Sequence, residues 1–573
     1  MCITGNPDLT RLSFHKNPKS KKKSTFFKID IRAESHYPIS GNKIRRLSTT
    51  KRIRNKPPLS GGMRGDMAKL LINTWNRKGR IRKEIYGQFA EHVGRGVYEG
   101  IYVGRDSPVR NVNGIRCDVA EALRHIHVPV LRWPGGCFAD EYHWKDGIGP
   151  VESRKKLVNS NWGNVVEDNS FGTHEFMELC ELIGCEPYIC GNVGSGSVEE
   201  MSEWIEYLTY DGVSPMAQLR RQNGRDKPWK IRYWGVGNEN WGCGGSMTPQ
   251  QYGMAFRRYR TFCRDYGENH LYCIAGGADV ADYAWTEGVM KTAAWSGNRR
   301  LMDAISLHYY TQPNTWEHKK RAREFNLADY YRGFVRARRL EELIVKHCEI
   351  MSRYDPDHEI GLVVDEWGAW YEVEEGTHPA FLYQQGTMRD ALLAAVQLDI
   401  FNRHCDRVVM ANLAQMVNVI HAIILTEGEK MLCTPTYHVF DLYQRHQDAQ
   451  LLDSWVEDVL IGDEESQVNA LSHTASLREG KLTLTVSNLS PEESVEVDVW
   501  IPGFTVAKAA GRILYADMAA HNTFEEPERV KTRAYEDAEA TEHGIKLRLP
   551  PCSVAEVVME EETAAEPKAK FPV

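Results

Sequence analysis

Short apolar runs alternate with longer segments of helical periodicity from Ile85 to about Tyr443. The runs are rich in β-branched and aromatic residues, which favour strands, and the segments between them have the apolar spacing of amphipathic helices. Such alternation is typical of βα units on a parallel sheet. The predicted strands are residues 85–89, 128–133, 187–191, 231–236, 271–276, 304–309, 360–365 and 407–413.

Eight strands with crossover helices predict an α/β fold, a (β/α)8 TIM barrel, over residues 84–443. Residues 173–183 carry a helical apolar stripe that stops before Gly184. A second helix has Thr248 as a candidate N-cap and Pro249 at its first position, and we expect it to end at Gly267. An open doubly wound sheet is the alternative, but its phosphate-binding glycine fingerprint is missing.

Beyond Tyr443 the apolar period changes to two. Leu482, Leu484 and Val486 alternate with polar residues, and the same pattern returns at 495–499 and 545–549. Period two with one wet face predicts a C-terminal antiparallel β-sandwich over residues 444–560. The run "AKLLINT" within residues 67–83 predicts an N-terminal strand that joins this sandwich, and residues 561–573 are expected to be a solvated tail.

Polar side chains follow most of the predicted barrel strands. In a barrel of this kind the carboxyl ends of the strands carry the active site, so these side chains are expected to meet at one rim. Buried carboxylates without partners are costly, so several of them at one rim need a functional reason. The strand-end residues are Phe89, Glu91, Arg132, Asn192, Asn238, Glu239, His308, Tyr310, Glu366, Asn412 and Gln415.

Two carboxylates stand out, because Glu239 in "VGNEN" and Glu366 in "DEWGAWY" each follow an apolar strand and lie beside a tryptophan. Glycoside hydrolysis uses a pair of carboxyl groups that face each other across a polar, aromatic pocket. Two charges roughly 5 Å apart repel by about 3 kcal/mol at an effective dielectric of 20, so one carboxylate should stay ionised while the other keeps a proton. A structural ion pair is the alternative for either residue alone. Asp365 competes with Glu366, but one step along a strand should point it to the other face.

Five blocks occur in order between Gly87 and Ile420: "GQFAEHVGRGVYEGIYVG", "LRWPGGCFADEYHWKDGIGP", "GVGNENWG", "DEWGAWY" and "NLAQMVNVI". With these blocks the chain resembles the α-L-arabinofuranosidases of glycoside hydrolase family 51. The resemblance runs from about Ala68 to the C-terminal sandwich. It implies a retaining, exo-acting enzyme that removes terminal arabinofuranosyl residues from arabinan- or arabinoxylan-derived oligosaccharides.

The resemblance also implies a role for each strand-end residue. Glu239 would be the general acid/base and Glu366 the nucleophile, steadied by Arg132. The substrate-binding set it implies comprises residues that hydrogen-bond the sugar or orient the carboxylates, namely Glu91, Asn238, His308, Tyr310 and Gln415, and residues that wall the pocket, namely Phe89, Trp162 and Trp370. Cys137 stands where one common family form carries Asn, and a thiol would be a weak hydrogen-bond partner for the sugar.

Charge divides the chain unevenly. Residues 1–66 carry 16 Lys and Arg against 4 Asp and Glu, a net charge of +12, whereas the rest carries −19. We interpret this leader as a disordered extension, and because the body is acidic we expect neither a nucleic-acid nor a membrane partner. The 13 cysteines are odd in number and lack framework or zinc-site spacing, which indicates a reducing cytoplasm.

No sequence motif indicates a cofactor or a metal ion, so we expect neither. The resemblance implies a homo-oligomer, commonly a hexamer. Three alternatives remain open at this stage: a β-xylosidase or an endo-β-glucanase on the same barrel, or a carbohydrate-binding protein that has lost catalysis. The natural linkage preference is not fixed by the sequence.

Overall fold

Eight parallel strands close into a barrel in which each strand lies beside the next one along the chain. The computed structural model of the chain describes residues 67–562; the predicted leader, 1–66, and residues 563–573 of the predicted tail lie outside that range. The predicted (β/α)8 barrel is confirmed. The barrel strands, first to eighth, are Gly87–Phe89, Val130–Trp133, Glu186–Gly191, Tyr233–Val236, Tyr272–Asp279, Ala304–Thr311, Gly361–Ala369 and Val408–Ala414.

The strand bounds differ from the predicted ones at two places that matter for the site. The first strand begins at Gly87, because residues Lys83–Tyr86 form a turn of 3-10 helix. The seventh strand runs on to Ala369, so Glu366 lies inside it instead of after it. The continued pairing of His308–Thr311 with Glu366–Ala369 on the neighbouring strand holds this extension in place.

Helices fill the connections between the barrel strands. Glu175 accepts a hydrogen bond from the backbone nitrogen of Gly172 at the start of the helix Thr173–Ile183 (2.9 Å), and this helix stops before Gly184, whose φ of +83° favours glycine. Thr248 and Gln251 cap the helix Pro249–Phe262 reciprocally, and this helix ends five residues before the predicted Gly267. The helices are α1 Cys117–His125, α2 Thr173–Ile183, α3 Val198–Thr209, α4 Pro215–Gln222, α5 Pro249–Phe262, α6 Tyr283–Ala293, α7 Leu327–Tyr354, α8 Met388–Arg403 and α9 Pro435–Tyr443.

None of the helices within residues 67–562 combines the length and the apolar character that a bilayer crossing requires.

A ten-stranded sheet forms the C-terminal domain and includes the predicted N-terminal strand, Ala68–Arg80. The residues of period two, such as Leu484, Val497 and Leu547, share one apolar core, as predicted. The sheet is mixed, because Ala68–Arg80 pairs parallel with Val495–Trp500. Its strands, in spatial order, are Arg533–Tyr535, Val506–Tyr515, Ser553–Glu561, Lys481–Asn488, Leu471–Arg478, Gln450–Val456, Ala68–Arg80, Val495–Trp500, Gly544–Leu549 and Ala538–Thr541.

The sequence predicted that the polar face of the C-terminal sheet is exposed to solvent, and this is wrong for the hairpin formed by residues 471–488. Its polar positions are buried against the barrel; Ser476 is 1 % exposed and Thr485 0 %. The hydroxyl groups of these two residues lie 2.7 Å and 2.9 Å from the two ring nitrogens of His446, which supplies the hydrogen bonds that water would otherwise make. Burial lowers the pKa of His446 to about 3, so this imidazole is neutral.

Asp399 of α8 makes the second polar link between barrel and sheet. Its carboxylate accepts hydrogen bonds from the hydroxyls of Ser472 (2.6 Å), Thr474 (2.6 Å) and Tyr443 (3.0 Å). The first two donors belong to the sheet, and the third belongs to α9. Asp399 therefore fixes the barrel and the sheet at one point through buried, charge-assisted hydrogen bonds.

Replacing Asp399 with Ala should lower the free energy of unfolding by about 3 kcal/mol, because three buried hydroxyl donors lose their acceptor at about 1 kcal/mol each. Urea unfolding of the two proteins measures the difference. Ser472→Ala is the matched control and should cost only about 1 kcal/mol, since it removes a single donor. An Asp399→Ala variant no less stable than Ser472→Ala would contradict this account of the junction.

Candidate active site

Glu239 lies in the turn that follows the fourth barrel strand. Its φ of +42° places it in the left-handed region, which non-glycine residues seldom adopt. The backbone nitrogens of Gly242 and Gly244 donate to its carbonyl oxygen (2.7 and 3.2 Å) and hold the turn. The side chain of Glu239 is 19 % exposed, so the turn presents the carboxyl group at the rim of the barrel.

His308 of the sixth strand joins Glu239 to Glu366 of the seventh. Its Nδ1 lies 2.8 Å from Oε1 of Glu239 and 3.6 Å from Oε2 of Glu366. One carboxyl oxygen of each glutamate and a ring nitrogen of His308 all lie within 4.8 Å of one another. The two carboxyl groups therefore face each other at a separation too short to hold an intervening water, which needs about 6.5–9.5 Å.

Three donors, Arg132, Tyr310 and His308, surround Glu366, which is 6 % exposed. Nη1 of Arg132 donates to Oε1 (2.8 Å), and the hydroxyl of Tyr310 donates to Oε2 (2.7 Å). Burial raises the pKa of Glu366, but His308, Arg132 and Tyr310 together outweigh burial and hold the pKa below 4.5. Glu366 is therefore ionised at neutral pH.

His308 carries the compensating positive charge. It is 3 % exposed, and burial by itself lowers its pKa. The charges of Glu366 and Glu239 and the hydrogen bond to Glu239 outweigh burial and raise the pKa of His308 to about 9. The contact between His308 and Glu239 thus holds one transferable proton at neutral pH.

Glu91 and Gln415 form a second polar pair in the floor of the site. The amide of Gln415 accepts from the backbone nitrogen of Glu91 (3.1 Å) and donates to its Oε2 (3.1 Å), and the backbone nitrogen of Phe138 donates to its Oε1 (3.0 Å). Burial and then the charge of Glu366 raise the pKa of Glu91 to about 7. The loop after the second strand has glycine at position 136, because a Cβ there would lie 2.9 Å from Oε1 of Glu366.

Asn238 is fixed from both sides. Its Oδ1 accepts from Nη2 of Arg132 (2.5 Å), and its backbone nitrogen donates to Oδ2 of Asp140 (3.0 Å). Its Nδ2 is buried and makes no hydrogen bond within the described part of the chain, so it is available to a bound ligand. Asp140 also accepts from the backbone nitrogens of Val193 (2.6 Å) and Gly194 (2.8 Å), and it thereby ties together the loops that follow strands two, three and four.

Aromatic side chains lie beside these polar groups. The ring of Phe89 lies 4.4 Å from the guanidinium carbon of Arg132, and the rings of Tyr310 and Trp370 meet edge to face at 4.9 Å. Trp162, from the loop after the second strand, and Trp370 both pack against a small apolar cluster that contains Val419. The structure thus brings every predicted site residue to the carboxyl ends of the strands.

The predicted orientation of Asp365 is wrong. Asp365 also points into the barrel, where it accepts from the hydroxyl of Tyr188 (2.9 Å) and from Nδ2 of Asn412 (3.0 Å) and lies 3.6 Å from Nε of Arg132. Asp365 and Glu366 are adjacent in the sequence, yet both reach Arg132, because the pairing of the sixth and seventh strands shifts register just before Glu366. Asp365 is occupied by these structural partners, whereas Glu366 faces Glu239.

The interpretation of Cys137 as a free thiol is also wrong. Cys137 forms a disulfide with Cys243, although 106 residues separate them in the sequence. The two sulfurs lie 3.9 Å and 3.6 Å from Oε2 of Glu239, and as bonded sulfurs they carry no proton to donate to it. No spacing rule could have indicated the pair, since it joins loops that only the closed barrel brings together.

Asp279, at the end of the fifth strand, was missed because it follows a run read as ending at Gly276. Burial, followed by the charge of Glu239, raises its pKa to about 6. It adds a further acidic group near the pair, and a strand read three residues longer would have revealed it.

The described residues contain two groups of three possible metal ligands, and both include Glu239. One group adds His308 and Glu366, but the cationic imidazole and the Arg132 guanidinium already neutralise those carboxylates. The other adds Cys137 and Cys243, whose disulfide sulfurs lack the thiolate charge that metal ions need. Neither donor set suits a metal ion.

A (β/α)8 barrel in which a carboxylate after strand four faces a carboxylate near the end of strand seven is the arrangement of a glycoside hydrolase. Two family descriptions match the chain: "Alpha-L-arabinofuranosidase 1 domain" over residues 122–328 and "Alpha-L-arabinofuranosidase C-terminal domain" over residues 365–553.

The "Intracellular exo-alpha-L-arabinofuranosidase" of Bacteroides ovatus is 49 % identical over 491 residues, which cover 85 % of this chain and 94 % of that protein. The crystal structure of the GH51 arabinofuranosidase from Xanthomonas axonopodis pv. citri is 43 % identical, with a TM-score of 0.84, over 86 % of this chain and 100 % of that one. An arabinose complex of the α-L-arabinofuranosidase from Thermotoga maritima is 30 % identical, with a TM-score of 0.72, over 86 % and 99 %. The chain belongs to the α-L-arabinofuranosidases of glycoside hydrolase family 51.

Proposed function

We propose that this chain is a retaining, exo-acting α-L-arabinofuranosidase that releases terminal arabinofuranosyl residues from arabinan- or arabinoxylan-derived oligosaccharides. The observation that carries the proposal is the approach of a Glu239 oxygen and a Glu366 oxygen to within 4.8 Å, bridged by His308. That spacing suits direct attack on the anomeric carbon, because the sugar and not a water must fit between the carboxyl groups.

In the first step Glu366 is the nucleophile. Its lowered pKa keeps it anionic, so it attacks the anomeric carbon and forms a glycosyl-enzyme ester. Glu239 donates its proton to the departing glycosidic oxygen, and the contact with His308 supplies that proton. In the second step Glu239 acts as general base on a water, which hydrolyses the ester with a second inversion and so gives net retention.

The remaining residues bind and orient the sugar. We assign Glu91, Gln415 and Asn238 to its hydroxyl groups, a role supported by the unpaired amide nitrogen of Asn238 and by the mixed protonation of Glu91 near its pKa of about 7. The aromatic rings of Phe89, Trp162 and Trp370 would cover the apolar faces of the ring. Cys137 would contact the sugar only as one sulfur of an apolar disulfide.

We further propose that the chain is cytoplasmic and forms a homo-oligomer, commonly a hexamer in this family. The printed name of the Bacteroides ovatus relative supports an intracellular location. Light scattering of the purified protein would measure the assembly.

A panel of nitrophenyl glycosides separates this function from its alternatives. A preference for the α-L-arabinofuranoside supports the proposal. A clear preference for the β-xyloside or a glucoside would favour the β-xylosidase or endo-β-glucanase on the same barrel, and binding without turnover would favour a non-catalytic carbohydrate-binding protein.

Replacing each carboxylate should produce a different kinetic defect. Glu366→Ala should abolish turnover on every substrate, and added azide should restore a glycosyl azide of inverted configuration. Glu239→Ala should slow substrates with poor leaving groups by about 100-fold to 10,000-fold while activated aryl glycosides still react in the first step. Steady-state rates and product NMR measure both effects.

Glu141→Ala is the matched control, since Glu141 is a carboxylate of the neighbouring loop that bonds only Ser160 among its side-chain contacts (3.0 Å). It should keep the wild-type dependence on leaving group. A Glu239→Ala variant that slows all leaving groups equally would reject Glu239 as the acid.

The pH profile of kcat/KM should be broad. The acidic limb should fall below pH 4.5, because Glu366 must be ionised and its pKa is lowered from 4.5. The alkaline limb should lie near pH 9, where His308 loses its proton as the pH rises through its pKa of about 9.

His308→Gln should move the alkaline limb away from pH 9 to lower pH, because the imidazole that holds a proton up to about pH 9 is then missing. Its position is compared with that in His378→Gln, which removes a histidine of the loop after strand seven that stacks on Phe381. An alkaline limb unmoved by His308→Gln would show that the proton does not reside in this pair.

A further inference from the structure

The Cys137–Cys243 disulfide is the one disulfide among residues 67–562, and it lies at the acid/base. It joins the loop after the second barrel strand to the turn after the fourth. The other ten cysteines of this range are free. A covalent tie placed here and nowhere else in the described range connects the two loops that border the facing carboxylates.

The Cys137 end of the tie is held rigidly against the floor of the site. Cβ atoms added to Gly135 and Gly136 would lie 2.6 Å from Cγ of Glu91 and 2.9 Å from Oε1 of Glu366, so this loop is packed directly on both carboxylates. The next residue, Phe138, donates its backbone nitrogen to Glu91 (3.0 Å). The position of Cys137 is therefore fixed relative to the nucleophile.

The Cys243 end lies four residues after Glu239 in a short turn. That turn is held by backbone hydrogen bonds from Gly242 and Gly244 to the carbonyl of Glu239, and Cys243 itself is exposed. Asn238 and Asn240, on either side of Glu239, are buried, whereas the second half of the turn, residues 242–246, is mostly exposed. The disulfide ties this exposed half of the turn to the loop after the second strand.

The two oxygens of Glu239 have different neighbours. Oε1 contacts His308 (2.8 Å), whereas the described contacts of Oε2 are the two sulfurs of the disulfide, at 3.9 Å and 3.6 Å. The sulfurs carry no proton, so they donate no hydrogen bond to Oε2 and only limit its position by contact.

We propose that Cys137 and Cys243 are positioning residues for Glu239, and that their disulfide sets the distance of the acid/base from the nucleophile. This inference rests on the proposed glycosidase mechanism. Reduction frees the exposed half of the turn and removes the disulfide from its contact with Oε2 of Glu239, whereas Glu366 stays held by Arg132 and Tyr310. The reduced protein is then a poorer acid catalyst with an intact nucleophile, so activity depends on the thiol redox state.

A water-soluble phosphine opens the bond. The S–S bond breaks, each sulfur gains an electron and a proton to become a thiol, and the phosphine becomes its oxide with the oxygen and both protons taken from water. The exposed position of Cys243 gives the reagent access. Thiol titration in denaturant should count two more thiols after treatment.

The test measures kcat/KM of the full chain, oxidised and reduced, on aryl and alkyl arabinofuranosides of graded leaving-group ability. Reduction should leave a dinitrophenyl substrate within about twofold and slow a poor leaving group by about 10-fold to 100-fold, the loss expected from a misplaced catalytic group. The Cys137→Ala/Cys243→Ala variant should behave like the reduced wild type and be indifferent to phosphine. Cys185→Ser, which removes a free, partly exposed thiol elsewhere, should respond to phosphine like the wild type.

Verified reduction with no kinetic change, or with equal losses on all leaving groups and a lower melting temperature, would overturn the proposal and leave a merely stabilising bond. If the double variant does not fold, the comparison of oxidised and reduced wild-type protein still tests the proposal. An oxidised protein with no arabinofuranosidase activity would instead reject the proposed function, so the two failures are distinguishable.

Discussion

Two glutamates held within 4.8 Å of each other are the constraint on which the rest of the site depends. If both were ionised at that distance, their repulsion would be about 3.5 kcal/mol at an effective dielectric of 20, before any cost of burial. The surrounding residues relieve this repulsion unequally. Arg132, Tyr310 and His308 all contact Glu366, whereas Glu239 has His308 and two sulfurs. That asymmetry is what gives two residues of the same type two different chemical roles.

Arg132 contributes to this asymmetry because closure of the barrel brings residues from distant strands to its guanidinium. It is fully buried in the second strand, yet its guanidinium reaches Glu366 of the seventh strand and Asn238 after the fourth, and it stacks over Phe89 of the first. Such reach across the barrel requires closure, because these strands are distant in the sequence. The sheet domain supports that closure from outside through Asp399 and His446, which join it to the barrel.

The sequence predicted the barrel, the N-terminal strand of the sheet and the rim to which the site residues belong, because apolar periodicity and strand-end polarity are local signals. It did not predict features that depend on three-dimensional register. The register shift beside Glu366 turned Asp365 inward, and the contact of two loops paired Cys137 with Cys243. Nothing local in the sequence marks Asp140, a loop residue, yet three backbone nitrogens from two other loops converge on it. The hydroxyl face of residues 471–488 looked solvated because polarity alone does not distinguish water from a partner domain.

The most direct test of the central claim is proton NMR of the first sugar released by the wild-type protein from an aryl α-L-arabinofuranoside, recorded before mutarotation. Carboxyl groups at this separation should act by double displacement, so the first product should be the α-anomer, with the configuration of the substrate retained. First release of the β-anomer would mean a single displacement by water and would contradict the direct opposition of Glu239 and Glu366.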